Sequence, residues 1–150
     1  MYSKRVIYSH SEAETLSAAL EFSKELKVGD VVAFIGELGS GKTLFIKGIC
    51  NFFKVEEIIT SPTFTIMNQY TGYINHSVLD IIHIDLYRIK NLNELIEIGF
   101  IEATATPNSI ILIEWADKAK ELIPKPHYLV LLESLAEDEN HRRITIDKIE

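Results

Sequence analysis

Cysteine is nearly missing from this chain: Cys50 is the only one in 150 residues. A lone thiol forms no internal disulfide and excludes zinc sites built on paired thiolates, so a reducing, cytoplasmic setting is expected. Long apolar runs are missing as well. No stretch approaches the roughly 20 residues that a membrane-spanning helix needs, and Met1-Tyr2-Ser3-Lys4-Arg5-Val6 leads into polar residues where a signal peptide would carry its apolar core. The chain is expected to be neither secreted nor membrane-bound. Positive charge is scarce: 15 Lys plus Arg stand against 22 Asp plus Glu, a net charge of −7. A field of that sign repels polyphosphates and disfavours free-standing nucleic-acid binding.

What remains is an ordinary globular composition, 47% hydrophobic and 25% charged, in a length that fits one domain over residues 1–150. Ser11-Glu12-Ala13-Glu14 has the form of a capping box, and Leu16, Ala19, Leu20 and Leu26 follow at helical spacing, predicting a helix from Glu12 to Lys27. Gly29-Asp30 breaks it. The unbroken apolar run Val31–Ile35 reads as a strand buried on both faces, and Thr43–Phe53 as a helix with Leu44, Gly48, Ile49 and Phe52 turned inward. Further strands are predicted at 64–70, 79–86, 110–114, 128–133 and 143–147 from their β-branched and aromatic residues. Helices are predicted at 92–98 and 116–122, stopped by Gly99 and Pro124. Residues 136–140 read as the loop of a terminal hairpin. The expected fold is α/β: a single domain with a mixed, mainly parallel central sheet flanked by helices.

The segment Gly36-Glu37-Leu38-Gly39-Ser40-Gly41-Lys42-Thr43 satisfies G-x-x-x-x-G-K-[ST] and lies between a buried strand and a helix, the context that this phosphate loop requires, so the expected α/β fold is a single P-loop NTPase-like domain. Glycines let backbone amides converge on an anion, and the following helix, opening through Thr43 and Leu44, turns its positive end toward it. Lys42 supplies a point charge for the β- and γ-phosphates, and the Thr43 hydroxyl is placed for Mg²⁺. Glu37, a carboxylate in an anion cradle, is expected to face outward. A Mg²⁺ ion also takes a carboxylate from the end of a neighbouring strand, and two apolar runs end in one, at Asp85 and Glu114. Their spacing alone does not rank them. Thr60-Ser61-Pro62-Thr63-Phe64-Thr65 occupies the position of a segment that senses a γ-phosphate.

Five blocks in order resemble one family: the loop 36–43, Ser61-Pro62-Thr63-Phe64-Thr65, His83-Ile84-Asp85-Leu86-Tyr87-Arg88, Glu97-Ile98-Gly99 and Ile113-Glu114-Trp115. The chain is similar to the TsaE (YjeE) P-loop ATPases, required for threonylcarbamoyladenosine formation on tRNA. That resemblance implies ATP and Mg²⁺ binding, weak intrinsic hydrolysis and action with the TsaB and TsaD proteins in a pathway that acts on tRNA, while the net charge of −7 sets the expectation that tRNA is contacted only through those partners. It implies Thr43 and Glu114 as Mg²⁺ ligands, Asp85 as the second acidic switch residue and Thr65 as the hydroxyl of the first switch, so that Lys42, Asp85 and Thr65 are the expected catalytic residues. It implies a nucleotide held by the loop and Leu44, with its base near Ser11, Glu12 and Thr15 and a basic residue of the last strand. Arg143 is preferred there over its neighbour Arg142.

A small-molecule kinase is the alternative on the same loop, but it needs several arginines around the transferring group, and only Arg5, Arg88, Arg142 and Arg143 exist. A GTPase fares worse, because no Asn-Lys-x-Asp and no Asp-x-x-Gly is present. His83, Arg88 and Trp115 are read as either site members or packing and surface residues. Cys50 is read as core.

Overall fold

The computed structural model describes residues 2–60, 66–135 and 140–150. The expectations placed on Ser61–Thr65, Thr65 among them, and on loop residues 136–139 lie outside the described residues. Seven strands form one sheet: β1 (Arg5–Ser9), β2 (Val31–Gly36), β3 (Met67–Ile74), β4 (Ser77–Asp85), β5 (Ser109–Glu114), β6 (His127–Ser134) and β7 (Arg142–Ile149). Their order is β1-β7-β6-β2-β5-β4-β3. The four central strands, β6, β2, β5 and β4, are parallel neighbours. Antiparallel pairings add β7 and β1 on one side and β3 on the other. The sheet is therefore mixed with a parallel centre, as expected, and β6 and β7 form the predicted terminal hairpin.

Helices α1 (Glu12–Ser23) and α2 (Lys42–Phe52) cover one face. Their core includes Phe22, Phe34, Phe45, Ile46, Ile49 and Ile144. Helices α3 (Leu92–Glu97) and α4 (Phe100–Thr104), with a 3-10 segment at Ala116–Leu122, cover the other around Ile84, Leu95, Phe100 and Ile113. Cys50 lies fully inside the first core, where burial pushes its thiol up to about 12 and leaves it inert at neutral pH.

Several boundaries differ from the sequence reading. The α1 cap forms, with the Glu14 amide donating to Ser11 Oγ at 3.1 Å, but the helix stops at Ser23. Residues 24–26 continue in tighter i→i+3 bonds, as helix ends commonly do. On α2 the buried positions are Lys42, Phe45, Ile46, Gly48, Ile49 and Cys50, whereas Leu44 and Phe52 are half-buried. Strands β3 and β4 extend toward each other into a hairpin whose turn residues, Asn75 and His76, both have positive φ, the pattern of a type I′ turn. Strand β1 and helix α4 have no counterpart in the predicted elements. Both have five residues, too few for a periodic signal.

Helices α1 and α2 meet closely at Gly48, where a Cβ would lie 2.5 Å from the Ala19 Cβ and 3.2 Å from the Leu16 carbonyl oxygen. Gly48→Ala is therefore expected to destabilise the protein by about 1–3 kcal/mol in urea unfolding, because overpacking outweighs the improved helix propensity.

Candidate nucleotide and metal site

The parallel register brings the functional residues to the carboxyl end of the sheet. Strand β2 ends at Gly36 and α2 starts at Lys42. Between them Gly39 and Gly41 take φ of +79° and +103°, conformations open to glycine. At Gly41 space is limiting too, since a Cβ would lie 3.0 Å from an Arg142 guanidinium nitrogen. Glu37 is exposed, as expected of a carboxylate in this loop, and Leu38 projects outward at 74% exposure. Ser40 is fully buried.

Lys42 is buried and folded back over the loop. Its ammonium donates to the Gly36 carbonyl at 2.6 Å and the Glu37 carbonyl at 2.9 Å, and stands 4.3 Å from the centre of the Trp115 ring. Burial lowers its pKa from the ordinary lysine value, opposed by the charges of Glu114, Asp85, Glu37 and Asp117. Two neutral carbonyls are weak partners for a desolvated cation, so an anionic oxygen at this position is the better match. Trp115 reaches Lys42 because the chain turns sharply after β5: Trp115 has φ of +57°, and its ring packs against Tyr87 at 5.1 Å between centroids.

Thr43, in the first turn of α2, donates its hydroxyl to Glu114 Oε1 at 3.2 Å. Glu114 ends β5, only 2% exposed, and its other oxygen lies 2.6 Å from His83 Nε2. A hydroxyl and a carboxylate meeting beside a phosphate loop are the all-oxygen donors that Mg²⁺ takes, so these residues fit the ion. Asp85 is the register partner of Glu114 at the end of β4. Burial raises its pKa above the usual carboxylate range and nearby Glu114 adds to this, against the Tyr87 amide that donates to Asp85 Oδ1 at 3.0 Å.

Asp85→Asn is expected to raise the melting temperature at pH 7, since the amide keeps the Tyr87 bond and carries no charge. The raised folded-state value means that ionised Asp85 opposes folding above it. The advantage of the variant should therefore fade as pH falls through that value toward the unfolded 3.8. Melting curves at pH 7 and at acid pH check it.

The residues expected around a nucleotide base come together differently from expectation. Arg142, not Arg143, faces the loop: it is buried beside Gly41 and donates to Thr15 Oγ1 at 3.2 Å. Arg143 lies on the opposite face, paired with Glu133 at 2.9 and 3.2 Å. Strand alternation separates the two, and the side that faces α1 and α2 is set by Ile144 and Ile146 in the core. Ser11 caps α1 and Glu12 is exposed at its start. Thr15, one turn on, joins Arg142, so the start of α1 borders the loop.

Two features escaped the sequence reading. Tyr70 on β3 reaches His83, which no spacing announces because the pairing of β3 with β4 sets it. A cleft of about 540 Å³ opens beside the loop between Trp115, Ile35 and Leu131, with Glu37, Asp117 and Glu133 on its walls. Among the described residues no group of three or more His, Cys, Asp or Glu has metal-holding geometry, and no helix is long and apolar enough to cross a membrane.

A parallel-centred sheet whose glycine loop opens a helix with Lys42 and Thr43, the latter hydrogen-bonded to the carboxylate ending the adjacent strand, defines a P-loop nucleotide-binding protein. Comparison with known proteins narrows the class. Residues 9–144 match the family described as threonylcarbamoyl adenosine biosynthesis protein TsaE, and the chain belongs to that family. It is 40% identical over 138 residues to the tRNA threonylcarbamoyladenosine biosynthesis protein TsaE of Rickettsia conorii, covering 91% of this chain and 74% of that one. With its Bacillus subtilis namesake it shares 32% over 136 residues, covering 91% and 80%. The crystal structure of Bacillus subtilis YdiB superposes with a TM-score of 0.76 at 27% identity, covering all of this chain and 88% of the other.

Proposed function

We propose that this chain binds Mg·ATP at residues 36–44, hydrolyses it slowly, and acts as a nucleotide-dependent switch on a TsaB–TsaD complex during threonylcarbamoyladenosine formation on tRNA in the cytoplasm. The observation that carries the reading is the Thr43–Glu114 contact beside the buried Lys42, which joins metal donors and a phosphate cation at one loop. Lys42 would exchange two loop carbonyls for phosphate oxygens, and the amino end of α2 would add its dipole. Thr43 and Glu114 would hold Mg²⁺, which when bound neutralises the negative charge of the phosphates. Asp85 stands next to Glu114 in the register of the two strands, a position suited to orienting a water. Arg142 and Thr15 replace Arg143 as the residues proposed for the base end. Contact with tRNA is proposed to run through the partners, in keeping with the net charge of −7.

The small-molecule kinase reading gains nothing from the cleft beside the loop, because its acidic walls repel anionic acceptors. Co-purification with TsaB and TsaD in ATP and in ADP, followed by identification of the bound nucleotide, tests the switch. Retention that depends on nucleotide state is the expected result. Equal retention in both, with no nucleotide bound, would leave only a scaffold with a disused loop.

A further inference from the structure

Behind Glu114 a line of buried polar groups leads away from the loop. His83 is fully buried, and its Nε2 lies 2.6 Å from Glu114 Oε2. On the far side of the ring Nδ1 lies 3.2 Å from the Tyr70 hydroxyl. That hydroxyl is 3.3 Å from the Thr60 carbonyl and accepts from Asn68 Nδ2 at 3.3 Å. The line therefore runs from Thr43 through Glu114, His83 and Tyr70 to Thr60, the residue that precedes segment 61–65.

The geometry gives each member one task. A ring donating from Nε2 to the carboxylate keeps its lone pair at Nδ1, and the single Tyr70 hydroxyl proton is shared between that lone pair and the Thr60 carbonyl, completing one of the two contacts at a time. Glu114 is then gripped by Oε2 alone, leaving Oε1 toward Thr43. A buried carboxylate with one oxygen fixed cannot rotate away without losing a charge-assisted bond that no water replaces. Neither His83 nor Tyr70 touches the loop itself in the hydrogen bonds that define this line.

We infer that His83, steadied by Tyr70, is a positioning residue that aims Glu114 Oε1 at the metal position beside Thr43. The inference rests on the Mg·ATP reading above. Partners that orient a ligating carboxylate typically govern metal affinity by about 10- to 100-fold. His83→Leu removes the grip, His83→Gln returns an N–H donor at nearly the same reach, and Tyr70→Phe removes only the hydroxyl behind the ring.

The test is calorimetric titration of each variant with a slowly hydrolysed ATP analogue, in Mg²⁺ and in EDTA, with circular dichroism to verify folding. In His83→Leu the Mg²⁺-dependent gain in affinity is expected to fall about tenfold or more while affinity in EDTA stays unchanged. His83→Gln should recover most of the gain, and Tyr70→Phe should lose part of it. A His83→Leu protein that keeps the full gain, or that weakens equally in EDTA, overturns the positioning role. Should that variant not fold, Tyr70→Phe decides, and an undiminished gain in it overturns the inference. If the unmutated protein itself gains nothing from Mg²⁺, the function reading falls and the inference with it.

Discussion

Lys42→Ala is expected to lower Mg·ATP affinity by about two orders of magnitude, since a lysine bridging two phosphates supplies two charge-assisted bonds of roughly 1.5–3 kcal/mol each, part of which is spent on leaving its present partners. The fold should persist. The ammonium is buried against the Gly36 and Glu37 carbonyls, and its desolvation already lowers its pKa. Removing it relieves that cost even as it loses two hydrogen bonds, so the melting temperature should change little. Calorimetry with Mg·ATP and a thermal melt by circular dichroism check both halves, and unchanged affinity would remove the basis for assigning the loop to ATP.

Glu114→Gln is expected to reduce affinity about 10- to 100-fold in Mg²⁺ and little in EDTA. An amide oxygen is neutral and a poorer ligand for a hard dication, and the substitution also replaces one oxygen by an N–H₂ group. That group faces either Thr43 or His83, the two partners that the carboxylate now holds at 3.2 and 2.6 Å. Trp115, adjacent in sequence and 4.3 Å from the Lys42 ammonium by its ring centre, supplies an optical readout. Its emission should change on adding Mg·ATP to the unmutated protein and change less in the variant. Identical titrations of the two proteins would take Glu114 out of the metal site.

The Mg²⁺ dependence expected of Glu114 and of His83 separates two kinds of contribution. Glu114 would touch the ion, whereas His83 would act only through the carboxylate it holds. Glu114→Gln removes ligand charge while the bond to His83 stays possible, and His83→Leu removes the bond while the charge stays, so that pair distinguishes lost ligand charge from lost orientation. Asp85 would behave differently again, because its removal is expected to favour the folded state.

Much of this chain is legible along its sequence because the signals are local. The loop 36–43 carries its own geometry in its glycines, and the short apolar run before it, ended by a glycine, reads as a strand buried on both faces. The cap at Ser11 is written in four consecutive residues. Strand-end carboxylates at 85 and 114 follow from apolar runs that stop there. Each of these depends on neighbours within one element.

What tertiary structure alone decided are the contacts between elements distant in sequence. Arg142 rather than Arg143 faces the loop because the packing of Ile144 and Ile146 fixes which side of β7 is inward, and in a strand a one-residue choice reverses the face. The short strand β1 exists through its pairing with β7 at the other end of the chain. Trp115 lies over Lys42 because of a single left-handed residue after β5. Tyr70, His83 and Glu114 form a line because β3, β4 and β5 are adjacent in one register. The sequence by itself determined the phosphate loop and the class of sheet that carries it. Only the assembled sheet determined which polar side chains stand behind Glu114, since strand register and burial, not spacing along the chain, place them there.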